Sequence, residues 1–261
     1  MTRRSMVSLE TDGEIGAVTL ERPEALNAIS GALADELADA FREVGSRPDI
    51  WVMVLRGAGD KAFCVGADLR ERASFTIEDF YSNRRQIKGM FAALRAVPQP
   101  TVASVFGFAL GGGFELALSC DLIVAARGAM FGLPEVRVGL LPAGGGTQLL
   151  ARSIGETRAK ELIFTGRRVE ADEALDMGLV ARVVDRDGLD QAAIDLAHDI
   201  CRSSPVAVRE AKRSIESAHG VALEEGIEIE SKSWEVVINT EDRAEGIAAF
   251  NEKRDPRWKN R

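Results

Sequence analysis

Two glutamates stand in settings where a carboxylate needs a reason: Glu115 within Ala109-Leu110-Gly111-Gly112-Gly113-Phe114-Glu115-Leu116-Ala117, and Glu135 within Phe131-Gly132-Leu133-Pro134-Glu135-Val136. Taking such a charge out of water costs several kcal/mol, roughly, unless something compensates it. Two carboxyl groups held in apolar surroundings suit general acid/base work, one giving a proton and the other taking one. The glycine run adds a second capacity. It precedes a helix expected from Phe114, and backbone N–H groups at a helix start are unsatisfied donors that can hold an anion or oxyanion. Three glycines alone more often mean only that two backbones approach closely; Glu115 beside them favours a site.

Two further glycine features are weaker. Lys61-Ala62-Phe63-Cys64-Val65-Gly66-Ala67-Asp68-Leu69-Arg70 would let a ligand touch backbone between two cations, although taken alone it reads better as an ordinary strand-to-helix connection. Leu141-Pro142-Ala143-Gly144-Gly145-Gly146-Thr147-Gln148 opens another helix and by itself says little. Nucleotide chemistry is disfavoured, because Gly107 to Gly111 is not G-x-G-x-x-G and no G-K-[ST] follows a glycine run. The only histidines, His198 and His219, fall in a polar helical region, so a serine triad or histidine-rich metal site lacks raw material. Cys64 has no histidine nearby to activate it and reads as a small buried side chain.

The elements that must position these residues follow from pattern. Val18–Leu20, Trp51–Leu55, Thr101–Val105, Leu122–Ala125 and Val180–Val184 read as strands. Between them lie amphipathic helices, one capped by Ser30 with Leu33, Leu37, Ala40, Phe41 and Val44 on its apolar face, and one after Thr76 carrying Phe80, Ile87, Met90, Phe91 and Leu94. Alternating strands and helices predict an α/β core. Leu189 to Phe250 predicts three or four helices broken at Pro205, Gly220 and Thr240, packed on the core or on a neighbouring chain. At 261 residues and 46% hydrophobic content, one core with an appendage is expected. A formal charge of −8 argues against nucleic acid or an anionic membrane as partner. Three scattered cysteines, the lack of an apolar signal core after Arg3 and Arg4, and the lack of a membrane-length apolar stretch predict a cytoplasmic protein.

Taken together, Ala62–Leu69, Gly107–Ala117 and Pro134–Pro142 resemble the enoyl-CoA hydratase/isomerase (crotonase) family. The likeness extends to Arg22–Ala28, Lys160–Gly166, Asp242–Gly246 and Phe250–Arg254, covering nearly the whole chain in family order. It implies a crotonase-like spiral of ββα units over residues 1–190 and a C-terminal helical trimerisation region over 191–261, assembled as a homotrimer or dimer of trimers. It also implies that the backbone N–H groups of Ala67 and Gly112 form an oxyanion hole for a thioester carbonyl. Glu115 and Glu135 would then add water syn across a trans-2-enoyl-CoA to give a 3-hydroxyacyl-CoA, Glu115 as base toward water and Glu135 as acid toward C2. Contacts to coenzyme A and substrate are implied at Ala25, Leu26, Lys61, Ala67, Asp68, Leu69, Arg70, Gly111, Gly112, Pro134, Ala143 and Lys253. No metal is implied, and no cofactor beyond the coenzyme A that the substrate carries. Burial and mutual repulsion would favour one protonated and one ionised glutamate at neutral pH.

Ala143 stands where many members have glycine, and a positive φ there would strain it. The acyl tail is expected near Glu71–Phe75 and the helix that follows. An isomerase is the nearest rival, although isomerases of the family commonly lack the acid at the Glu115 position. A branched-chain hydratase of the methylglutaconyl-CoA type is another, on the likeness of Ala67–Ala73 and Lys160–Phe164. RNA binding, seen in relatives with a lysine-rich first helix, is disfavoured, because Ala34-Asp35-Glu36-Leu37-Ala38-Asp39-Ala40 is acidic and would repel phosphate.

Overall fold

The computed structural model describes residues 5–261; Met1 to Arg4, where the expectation of no signal segment begins, lie outside the described residues. The chain opens with β1 (Val7–Asp12) paired antiparallel to β2 (Ile15–Leu20). β1 is a half-exposed edge strand with two acidic residues, too polar to be expected from hydrophobic pattern. Helix α1 (Gly31–Ser46) begins where Ser30 Oγ accepts from the Leu33 N–H at 3.2 Å, and it buries Leu33, Leu37, Phe41 and Val44.

The next elements come in pairs of strands. β3 (Val52–Gly57) and β4 (Ala62–Cys64) precede helices α2 (Leu69–Arg72) and α3 (Ile77–Arg95). β5 (Thr101–Val105) and β6 (Phe108–Leu110) precede α4 (Gly112–Leu118), which starts two residues earlier than expected. β7 (Leu122–Ala126) and β8 (Met130–Gly132) precede α5 (Gly146–Ile154) and α6 (Glu156–Thr165). β9 (Val169–Glu170), α7 (Ala171–Asp176) and β10 (Arg182–Val184) complete the sheets. The first strand of each pair joins a six-stranded sheet, β1-β2-β3-β5-β7-β10, in which all neighbours but β1 and β2 run parallel. The second joins a four-stranded sheet, β4-β6-β8-β9, whose first three strands are parallel. This alternation is the expected spiral. α3 carries a full capping box, with Thr76 Oγ1 accepting from Asp79 N–H and the Asp79 carboxylate accepting from Thr76 N–H.

The predicted helical region is four helices: α8 (Leu189–Cys201), α9 (Pro205–Ser217), α10 (Leu223–Ile238) and α11 (Glu241–Glu252). A boundary at residue 190 divides the chain within the first turn of α8. That helix is part of the core, because Leu189, Ala193 and Ala197 pack on Ile15, Val52, Val54, Val102 and Val124 of the large sheet. The opposite face of the sheet carries the larger core with α1 and α3. α9 is pinned through Lys212, whose Nζ donates to Val97 O and Gln99 O at 3.0 Å and to Asp121 Oδ2 at 2.8 Å. Among the described residues no helix is long and apolar enough to cross a membrane.

Lys212 is the largest polar commitment between the last helices and the core, and its side chain is only 11% exposed. Lys212→Met leaves two carbonyls without their donor and Asp121, still bonded by the Thr101 N–H and Oγ1, without its cation, so a loss of ~2–4 kcal/mol is expected in urea denaturation. A loss below ~0.5 kcal/mol would show that α9 is held by apolar contact alone.

Candidate active site

Parallel pairing of β4, β6 and β8 brings the turns after their C-terminal ends together. After β4 the chain passes Gly66 to Ala67. Ile29 donates its N–H to Gly66 O at 2.7 Å, and Asp68 donates its own to Ile29 O at 2.9 Å. Between these bonds the Ala67 N–H has no acceptor among the described residues. After β6, Gly111 donates to Gly132 O at 2.8 Å and takes φ 53°, ψ −128°, a conformation open in practice only to glycine. A β-carbon there would also lie 2.9 Å from Glu135 Oε1. This turn starts α4 with the N–H of Gly112, which has no preceding helical turn to bond and stands beside that of Ala67: a β-carbon built on Gly112 would lie 3.9 Å from Ala67 N. Two free donors side by side make a place for an oxyanion.

Glu115 lies in the first turn of α4 and is 3% exposed. Its Oε1 accepts from Gly144 N–H at 2.6 Å and Gly146 N–H at 2.7 Å. The approach needs a bare backbone, since a β-carbon on Gly144 would fall 2.2 Å from the Phe91 ring. Arg95 holds the same turn from outside, its Nη1 donating to Gly144 O at 3.1 Å. Burial pushes the Glu115 pKa up, while the N–H groups of Gly146, Gly144 and Gly145 and the charge of Arg84 draw it back. Glu135 differs. It sits in a 3-10 turn, Pro134–Val138, and its Oε2 is buried with no hydrogen-bond partner. Burial raises it to about 7, against a bond from its own backbone and with help from the charge of Glu115. One carboxylate is thus gripped by donors that favour its charge, and the other lacks them.

Both glutamates line one cavity of about 550 Å³, within the size of a small-molecule site. Ala67, Leu69, Gly111, Gly112, Pro134 and Ala143 join them there. Ala25, Leu26, Lys61, Asp68, Arg70 and Lys253 do not line it. Leu26 abuts the site backbone, its O accepting from Val65 N–H at 3.3 Å. The Asp68 carboxylate is spent on capping α2 through Arg70 and Glu71 N–H and on pairing with Arg22 at 3.1 Å. Lys61 and Arg70 are exposed, and Lys253 ends α11 in the left-handed region at φ 56°. Ala143 keeps an ordinary negative φ, so the alanine is unstrained; Gly144 and Gly146, not Ala143, supply the bonds to Glu115. Sequence reasoning missed those two donors, although the glycine run had marked them. It also missed Phe91 as a wall of the site and the polar Arg72, Asn83 and Arg84 that line it. Among the described residues no group of three or more His, Cys, Asp or Glu could hold a metal ion.

The profile of the enoyl-CoA hydratase/isomerase family matches residues 10–261. YngF of Bacillus subtilis strain 168 is 44% identical over 91% of each chain. "Probable enoyl-CoA hydratase echA8" of Mycobacterium tuberculosis is 42% identical over 98% of each chain. The crystal structure of an enoyl-CoA hydratase from Bacillus anthracis superposes with a TM-score of 0.96 at 41% identity, covering 98% of this chain and all of the other.

The elevated pKa of Glu135 has a consequence for stability. Above about 7 the fold carries a buried charge that the unfolded chain would solvate; below the unfolded value, about 4.3, the group is neutral in both states. Glu135→Gln is therefore expected to stabilise at pH 8 by ~1–2 kcal/mol, allowing for partial solvent screening, and to change nothing at pH 4. Denaturant titrations at the two pH values check this; equal effects at both would mean that Glu135 titrates as an ordinary surface carboxyl.

Proposed function

The chain belongs to the enoyl-CoA hydratase/isomerase family, and we propose that within it the chain is a hydratase, adding water syn across a trans-2-enoyl-CoA to give a 3-hydroxyacyl-CoA. The observation that carries this reading is the pair of carboxyl groups in unlike environments beside two free backbone N–H groups in a single cavity.

The thioester carbonyl oxygen accepts from Ala67 and Gly112 N–H, bonds that strengthen as that oxygen gains charge; one such donor is worth roughly 10²–10³-fold in rate. Glu115, ionised, takes a proton from water as the water oxygen bonds to C3. The C2=C3 π pair moves to the C1–C2 bond and the carbonyl pair onto oxygen. The resulting enolate collapses as C2 takes the proton from Glu135. Glu115 ends protonated and Glu135 ionised, and proton exchange with solvent restores the pair. Hydration rather than isomerisation is favoured by Glu115 itself, which is fixed by two donors where a single shuttling carboxylate would not need it. Assembly as a homotrimer or dimer of trimers is supported by the exposure of Ile215, Leu223, Trp234 and Phe250 on α9, α10 and α11.

A four-carbon trans-2-enoyl-CoA is the direct test, with hydration followed by loss of the conjugated thioester absorbance. Glu115→Gln should keep ligand affinity and lower turnover by ~10²–10⁴-fold; a variant with near-full activity would sink the assignment. Wild-type kcat should also fall as pH rises past about 7, where Glu135 loses its proton. A rate still climbing at pH 8 to 9 would remove Glu135 from the acid role.

A further inference from the structure

The cavity is apolar along most of its wall, yet arginines line it. Arg72 comes from α2 and Arg84, which is exposed, from α3. Arg72 is half-buried, and its Nη2 donates to Oδ1 of the buried Asn83 at 2.9 Å. Among the described residues neither arginine is paired with a carboxylate. The nearest candidate for Arg72, Glu71, directs both oxygens to the Gly31 N–H, at 3.0 and 3.3 Å. Arg137 also lines the cavity, but its Nε is committed to Thr165 O at 2.8 Å. Burial lowers the pKa of Arg72 and the charge of Arg84 lowers it further, against Glu71. Two like charges thus stand at one apolar space without a direct ion pair, although the charge of Arg84 reaches Glu115 and that of Glu71 reaches Arg72.

The position of Arg84 along α3, with Arg72 beside it from α2, gives the geometry of a ligand that could pair with them. Phe91 touches the Gly144 turn that holds Glu115 and so marks the level of the reacting carbons. Arg84 lies seven residues earlier, about 10 Å along the axis at ~1.5 Å per residue. Ile87 lies between them on the cavity wall. An acyl chain leaving the two glutamates along α3 therefore passes apolar wall first and meets the arginines at its far end.

We propose that Arg72 and Arg84 recognise a carboxylate at the end of the acyl chain, so that the substrates are 2-enoyl-CoA thioesters with a second, terminal carboxyl group. The proposal rests on the acyl-CoA reading of the cavity given above. A planar carboxylate matches the guanidinium fork, and charge-assisted bonds of this kind, strongest at the half-buried Arg72, discriminate against a methyl terminus that leaves the donors unpaired.

Saturated ligands separate this from catalysis, because they cannot be hydrated. Calorimetric Kd values are compared for hexanoyl-CoA and adipoyl-CoA, which differ only in the terminal group. The full-length protein should bind adipoyl-CoA ~10-fold or more tightly than hexanoyl-CoA. Arg72→Gln and Arg84→Gln should each shrink that ratio by ~5-fold or more, with retained hexanoyl-CoA binding showing that the variants are folded. Equal or weaker binding of adipoyl-CoA by the wild type overturns the proposal. So does a loss in the variants that is the same for both ligands, which would place the arginines on the coenzyme A phosphates. A failure of the Glu115→Gln test leaves these affinities untouched, so the two readings fall separately.

Discussion

The parallel register of three very short strands governs the site. β4, β6 and β8 run side by side in the same direction, so the backbone that leaves each of them emerges at one edge. Ala67, Gly112 and Glu135 follow these strands by only a few residues. α4 is pressed onto the end of β4 so closely that a β-carbon on Gly113 would lie 2.0 Å from Cys64 O. The small residues Ala62, Cys64 and Ala109 in the strands allow this approach, and the Phe114 and Phe131 rings, with centroids 5.3 Å apart, fill the space behind it. Main-chain amides are therefore the natural electrophilic groups here. Held by strand pairing on one side and by a helix start on the other, they need no reorganisation when charge develops in front of them.

The same closeness creates an electrostatic problem, because two carboxyl groups share a space with little water. At low effective dielectric, two ionised glutamates would repel strongly. The fold resolves this unequally. The Gly144–Gly146 turn gives Glu115 two short N–H bonds and is itself held by Arg95, while Glu135 Oε2 receives nothing. The N–H bonds thereby favour the charged form of Glu115, against the burial that raises it, while burial favours the neutral form of Glu135. That difference depends on where the turn sits, and Phe91 and Arg95 are side chains that touch it.

What could be read from sequence was what is local. The caps at Ser30 and Thr76 and the helical periods that follow them sit within single turns of chain, and both helices are where the pattern put them. The breaks that divide the last four helices are equally local. The glycine run before Glu115 was legible because a carboxylate and three glycines rarely meet by chance. The strands β4, β6, β8 and β9 were not legible, since two or three residues carry no period; they exist because neighbouring strands pair with them. The bonds from Gly144 and Gly146 to Glu115 span 29 and 31 residues and could not be seen until the spiral closed. The Asp68 side chain, inside a recognisable motif, does local work, capping a four-residue helix and holding Arg22.

Charge follows the same division between local and global. A chain with a net −8 is an unpromising receptor for a ligand bearing phosphates, if the whole field is considered. Over distances beyond ~8 Å, however, salt screens that field, and the groups that matter are those within reach. Many of the cations are already spoken for: Arg167 lies between Glu161 and Glu173, Arg254 between Glu245 and Glu252, and Lys212 on Asp121. The guanidinium groups of Arg72 and Arg84 at the cavity make no such pair, and burial disfavours the charge of the half-buried Arg72. A fold that pairs these cations elsewhere and leaves arginines without a carboxylate partner at the wall of a large apolar cavity holds positive charge at that place, independently of the sign of its total charge.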